Sequence, residues 1–247
     1  DLMRRFGGDR IKTIMGWAGL DENAPIENKM VSKSIEGAQV KVEAYHFDMR
    51  KHLVEYDDVV NTHRDVMYAE RDKVLNGANL KANIQALVEK ELLDITARHL
   101  GDTPPENWDL DSLIAELNSI FPLAGNVAQP NVLDQMDPEE IERNILDHAT
   151  KAYEMQEAVI TTPLMRSIER EVMLRIIDSH WIYHLTGMEN LRQGIGLHAY
   201  GQRDPLVMYK KEGHDLFQNL LDRIQHDIVH TIYHVSIGSS ATSSEQK

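Results

Sequence analysis

Residues 31–75 read VSKSIEGAQVKVEAYHFDMRKHLVEYDDVVNTHRDVMYAERDKVL, with no proline and one glycine, Gly37. Apolar or aromatic side chains recur at Ile35, Ala38, Val42, Tyr45, Met49, Tyr56, Val59 and Val66. That three-and-four alternation predicts one long packed helix. His52 and His63 interrupt the seam, so it is not a leucine zipper. At 1.5 Å per residue the helix would run about 67 Å, roughly four times the mean length in globular proteins. It predicts a backbone on which other parts dock.

The flanks change character on either side of this rod. Upstream, DLMRRFGGDRIKTIMGWAGL (1–20) reads as two short basic helices broken at Gly7-Gly8, with a loop from Leu20 to Pro25. Downstream, Asn76-Gly77 ends the rod. From Asn76 to Ile160 there are 16 Asp+Glu against 5 Lys+Arg, 5 − 16 = −11, out of −14 for the whole chain. A helical period at Ile84, Leu87, Val88, Glu91-Leu92 and Ile95 is followed by a turn at Pro104-Pro105 and a short helix through Leu113, Ile114 and Leu117. After a loop from Phe121 to Pro130, Asp137-Pro138 supplies an N-cap with proline at the first helical position. Residues 76–157 therefore read as an inserted, acidic helical domain.

Thr162-Pro163 repeats the cap-and-proline signal, with an apolar series at Leu164, Ile168, Val172, Ile176, Trp181, Leu185 and Met188. The segment 191–204 carries three glycines and reads as a turn. Asp204-Pro205 then starts a last long helix, apolar at Leu216, Phe217, Leu220, Ile224, Ile228 and Ile232. Residues 158–237 thus predict an antiparallel two-helix hairpin. The tail 238–247 is polar and expected to be disordered. With no strand alternation and no internal repeat, the fold class is all-α: a long helix, an inserted acidic helical domain and the hairpin.

Composition removes whole classes of function. The 247 residues include no cysteine, which excludes disulfides, thiolate nucleophiles and cysteine-ligated metals. An acidic balance argues against nucleic acid as a partner. No apolar stretch approaches the ~20 residues that span a bilayer. The first residues are no signal peptide, and the lack of a starting Met is what a piece of a longer protein would show.

Few patterns carry chemistry. The Gly-x4-Gly-Lys-Ser/Thr phosphate loop is absent, and Gly194, Gly196 and Gly201 do not form a dinucleotide fingerprint. The chain is therefore expected neither to bind nor to hydrolyse ATP. His180 and His184, and His226, His230 and His234, stand four apart and could present imidazoles on one face; a surface or helix-packing role is favoured over a metal. Adjacent Asp57 and Asp58 diverge by about 100° on a helix, so ion pairing, for example of Asp57 with Arg64 or Lys51, is favoured over acid–base work. In the hairpin loop, Ile195, Leu197 and Tyr200 put apolar and aromatic groups on a glycine-rich turn, either tucked onto a neighbour or reaching a partner.

Three stretches resemble the SecA family of preprotein translocase motors. LVEYDDVVNTHRDVMYAERD (53–72) is similar to its Leu-x-Tyr-Asp-Asp-Val-x-Asn-x-x-Arg signature. MLRIIDSHWIYHLTGMENLRQGIGLHAYGQRDPLVMYKKEG (173–213) is similar to a second signature, and DLMRRFGGDRI (1–11) resembles the end of the second nucleotide-binding domain. The resemblance implies that 1–30 finishes that domain and its linker, 31–75 is the long helix of a helical scaffold, 76–157 a helical wing, and 158–237 a two-helix finger with remaining scaffold. It implies a tip formed by Ile195, Leu197, His198, Tyr200 and Gln202 that contacts preprotein and channel. Tyr56, Asp57, Asp58, Asn61 and Arg64 would contact motor domains lying upstream of Asp1. The implied role is to couple ATP-driven motion to movement of unfolded preproteins through the SecYEG channel, peripherally at the cytoplasmic face of the membrane. ATP and Mg would bind the motor domains, and no cofactor this chain. Self-association through the rod is expected. The rival readings are a free-standing helical adaptor binding partners through the acidic lobe, and a histidine-metal helical enzyme.

Overall fold

The computed structural model describes residues 29–77, 79–101, 104–195 and 204–235. Among the described residues there are seven α-helices, two 3-10 turns and no strand. Helix α1 spans Lys29–Leu75 and α2 Leu80–Leu100; a 3-10 turn at Pro105–Asn107 leads to α3 (Leu110–Ile120). A second 3-10 turn, Gly125–Ala128, precedes α4 (Pro130–Leu133), α5 (Pro138–Ile160), α6 (Thr162–Gly194) and α7 (Pro205–His234). No helix among them is long and apolar enough to cross a membrane.

The chain divides into two compact units, residues 1–61 and 62–247. In the first, Ala38 is buried, whereas Tyr45 and Met49 of the expected seam are exposed, as are Val40, Phe47, Leu53 and Val54. Lys51 Nζ lies 3.8 Å from Glu55 Oε1, one turn on. Glu55 is thus a carboxylate within reach of Lys51, because four residues bring side chains onto one helix face.

In the second unit the buried positions of α1 are His63, Met67 and Val74, while Val66 is exposed. The seam is thus displaced by one residue from the expected one. His63 does not interrupt it but belongs to it, because its ring stacks face to face on Phe217 at 4.3 Å with an interplanar angle of 3°. An imidazole whose polar atoms are engaged packs as a flat apolar plate.

The core of this unit joins α2 (Ile84, Val88, Leu92, Ile95), α3 (Leu113, Leu117, Ile120) and α5 (Ile141, Ile145, Ala149, Tyr153) to α6 and α7. Helices α6 and α7 form the most extensive helix pair. His180 faces Asp227 and His184 faces Phe217, so one number rises as the other falls and the pair is antiparallel. The buried stripe of α6 is Met165, Glu169, Met173, Ile177, Trp181, His184 and Met188. Trp181 and Met188 of the expected series belong to it, while Leu164, Ile168, Val172, Ile176 and Leu185 lie one residue off, with Glu169 and His184 in core positions that polar residues rarely take.

Helix starts follow the proline signals. Asp204 Oδ1 accepts from Leu206 N at 2.8 Å ahead of Pro205, and Asp137 precedes Pro138 at the start of α5. The expected cap at Thr162 falls instead on Thr161, which ends α5 and begins α6. Thr161 has φ 81°, the one positive value at a non-glycine residue among those described. A β-branched side chain is strained there. Relief of that strain outweighs the extra chain entropy of glycine, so Thr161→Gly should raise stability by about 1 kcal/mol. Urea unfolding reads this directly, and a lower midpoint for the glycine variant would refute the strain.

Candidate functional site

Three buried polar joints tie the helices of the second unit together. At the first, where α5 meets α6, Glu169 is fully buried and accepts a very short hydrogen bond from the Tyr153 hydroxyl. Arg166 Nη2 donates to Tyr153 Oη and to Glu157 Oε1, both at 2.7 Å. Arg166 Nη1 is 3.0 Å from Glu169 Oε2. From α2, Lys81 Nζ donates to Glu157 Oε2 at 2.7 Å and lies 5.6 Å from the Tyr153 ring centroid. Burial pushes the Glu169 carboxyl up against the opposing pull of Tyr153 and Arg166, while Lys81 holds Glu157 low. Burial likewise pushes the Tyr153 hydroxyl up.

The second joint centres on Glu91 of α2. Its Oε2 accepts from Gln225 Nε2 at 2.7 Å, and its Oε1 lies 2.9 Å from His226 Nδ1. The third is a histidine pair: His63 Nδ1 of α1 and His184 Nε2 of α6 are 3.1 Å apart and both rings are buried. Burial lowers the His63 pKa to about 4, and His184 and His214 push it the same way. Burial lowers that of His184 too. At the rim, Arg71 Nε donates to Asp178 Oδ1 at 2.9 Å.

Of the histidines considered as metal ligands, His180, His184, His226 and His230 reach other helices, and His234 stays on its own, its Nδ1 2.7 Å from His230 O. His180 Nε2 is 2.6 Å from Asp227 Oδ2. His230 Nε2 is 3.3 Å from Ser119 Oγ, and its ring stacks at 4° on that of His234. Among the described residues no three histidine, aspartate or glutamate side chains are placed to hold a metal ion.

Of the expected tip residues, Ile195 closes α6, its N–H bonded to Leu191 O. Its side chain is buried. Leu197, His198, Tyr200 and Gln202 lie outside the described residues, as do 1–28 and the tail from 236. Of the expected motor-domain contacts, Asp57, Asp58 and Asn61 in the first unit are exposed and Tyr56 half-buried; Arg64 in the second is half-buried. Glu169, Tyr153 and Arg166 were missed from sequence. The available signal was a carboxylate in register with Met165 and Met173, with arginine three residues before it.

Within the second unit, an antiparallel helix pair and the acid-rich helices packed on it, fastened by buried polar joints, define a helical scaffold. A family model described as the SecA Wing and Scaffold domain matches residues 25–236, and the chain belongs to that family. It is 52% identical over 237 residues to the protein translocase subunit SecA of Dehalococcoides mccartyi (strain CBDB1), covering 96% of this chain and 25% of that protein. It is 42% identical over 238 residues to the SecA subunit of Pelotomaculum thermopropionicum, covering 96% of this chain and 27% of that protein. Against SecA 1 of Clostridioides difficile identity is 39% over 237 residues, 96% of this chain and 26% of that one. The chain spans about a quarter of the length of these relatives.

Proposed function

We propose that this chain is the wing-and-scaffold part of a protein translocase, transmitting ATP-driven motion of motor domains to unfolded preproteins in the SecYEG channel. The observation that carries the reading is the family match across 25–236, joined to relatives named as translocase subunits. The exposed apolar side chains of α1 in the first unit, Tyr45, Phe47, Leu53 and Val54, suit a helix that other domains cover on more than one side. Tyr56, Asp57, Asp58, Asn61 and Arg64 lie on the same helix and would add polar contacts to it. ATP and Mg belong to the motor domains in this reading. The protein works at the cytoplasmic face of the membrane, and the uncovered rod favours self-association.

In this reading Leu197, His198, Tyr200 and Gln202, in the sequence that joins α6 to α7, would contact preprotein and channel, next to Ile195 at the end of α6. An aromatic ring suits a substrate of changing sequence, because it makes broad contacts without a shaped pocket. The test is a chimera in which residues 25–236 replace the matching segment of the Dehalococcoides relative, assayed for transport into membrane vesicles. The chimera should transport preprotein. Tyr200→Ala in it should lose most transport and keep basal ATP hydrolysis, and Tyr200→Phe should retain more. A chimera that folds and hydrolyses ATP but never supports transport would overturn the reading. Normal transport by Tyr200→Ala with a lowered melting temperature would remove Tyr200 from the tip.

A further inference from the structure

The joint between α1 and the α6–α7 pair is built from two imidazoles that share one hydrogen bond. His63 Nδ1 and His184 Nε2 are 3.1 Å apart, so one ring donates and the other accepts. That arrangement needs a lone pair on one of the two facing nitrogens. A proton on both turns the contact into two donors facing each other. The rings are enclosed by aromatic groups: His63 stacks on Phe217 of α7, and Trp181 of α6 stacks on His184 with centroids 5.5 Å apart.

The charged and titratable groups around the pair offer an imidazolium little support. From α7, His214 acts on His63 as a like charge, and Arg223 lines the same cavity wall as His184. From α6, His180 also lines that wall, but it is engaged with Asp227. From α1, Tyr68 meets the pair only through the edge of Trp181. Among the described residues, no carboxylate is a leading influence on either ring.

We propose that His63 and His184 form a proton-released latch that holds the C-terminal part of α1 against the α6–α7 pair. With both rings neutral the latch is closed. Protonation of both rings places two like charges on nitrogens 3.1 Å apart in an apolar slot, and the arrangement that relieves them moves α1 away from the pair and admits water. An open joint takes up protons near the ordinary histidine value of 6.5, while the closed joint resists until about 4. The closed state therefore loses stability as pH falls through that window and keeps it fully above. The latch stands whether or not the transport reading holds.

The chain has no cysteine, so one labelled pair can be introduced cleanly. Asp65→Cys on α1 and Gln218→Cys on α7, both exposed, would carry spin labels in the full chain. Neutral pH should give one short distance. A second, longer population should grow as pH falls toward about 4, with far-ultraviolet helicity unchanged. The ring resonances of His63 and His184 should titrate together with that population. In His63→Phe with His184→Phe the acid-dependent population should vanish. An unchanged distance down to the pH where helicity is lost would overturn the latch, and so would a distance change that persists in the double phenylalanine variant. Should that variant fail to fold, the ring titrations decide: two histidines titrating near 6.5 with no change in distance would overturn it equally.

Discussion

Arg166→Ala should lower the stability of the protein by about 3–5 kcal/mol at neutral pH, the cost of stripping one partner from a buried charge. Glu169 is fully buried, and Arg166 is the cation whose Nη1 lies 3.0 Å from it. Without Arg166 the Tyr153 hydroxyl remains as a single donor to Glu169. The penalty should depend on pH, with a definite sign. Burial raises the folded-state value of Glu169 and Arg166 lowers it, so removing Arg166 raises it further. A carboxyl with a raised folded value is stabilising below its unfolded value and loses that contribution as pH rises through the folded one. The deficit of Arg166→Ala should therefore widen toward neutral pH and shrink in acid. Replacing Arg166 and Glu169 together by leucine should recover most of the loss, because a packed apolar pair needs no solvation. A cost below about 1 kcal/mol at neutral pH, within the range of a surface ion pair, would show that this network does not hold Glu169.

Phe217→Ala should be comparably severe, about 3–5 kcal/mol for deleting a buried aromatic. Phe217 is 7% exposed and serves α1 and α6 at once, stacked on His63 and tilted against His184 with centroids 5.7 Å apart. Its loss opens a cavity beside two polar rings, which water can enter, so both histidines should titrate closer to 6.5, the ordinary value. Phe217→Leu, which fills most of the space, should cost less. Chemical denaturation with ring titration checks both halves. A Phe217→Ala protein of wild-type stability would mean that the histidine pair does not depend on its aromatic neighbour.

The two substitutions probe what the family assignment leaves open. Membership identifies the chain as wing and scaffold, and the polar joints explain how those parts keep a fixed relation. Glu91, bonded to Gln225 and His226, binds α2 to the end of the helix pair. Arg166, through Glu157 and Tyr153, and Glu169, through Tyr153, bind the end of α5 to the start of α6. The interface between lobe and hairpin is therefore fastened by directional bonds. Such bonds fix one arrangement more sharply than apolar contact, which tolerates sliding.

The sequence alone determined the elements. A run without proline and with one glycine could only be a long helix. The Asp-Pro pairs marked the starts of α5 and α7 because a first-turn proline acts locally, joined at Asp204 by a side-chain cap that Asp137 does not make. The acid excess of the lobe, the two-helix hairpin and the family motifs were likewise legible in order and spacing. Tertiary structure decided which face of each helix turned inward. His63, Glu169 and His184 sit at core positions that a reading by hydropathy assigns to neighbours such as Val66 and Ile168. These polar residues become compatible with burial only when a partner more than ten residues away engages a polar atom: His184 for His63, and Tyr153 for Glu169 Oε1. Their solvation balance is set by those distant partners, and no local pattern encodes it. Thr161 follows the same logic, since its φ of 81° is imposed by the packing of α5 and α6 on either side and runs against its own preference.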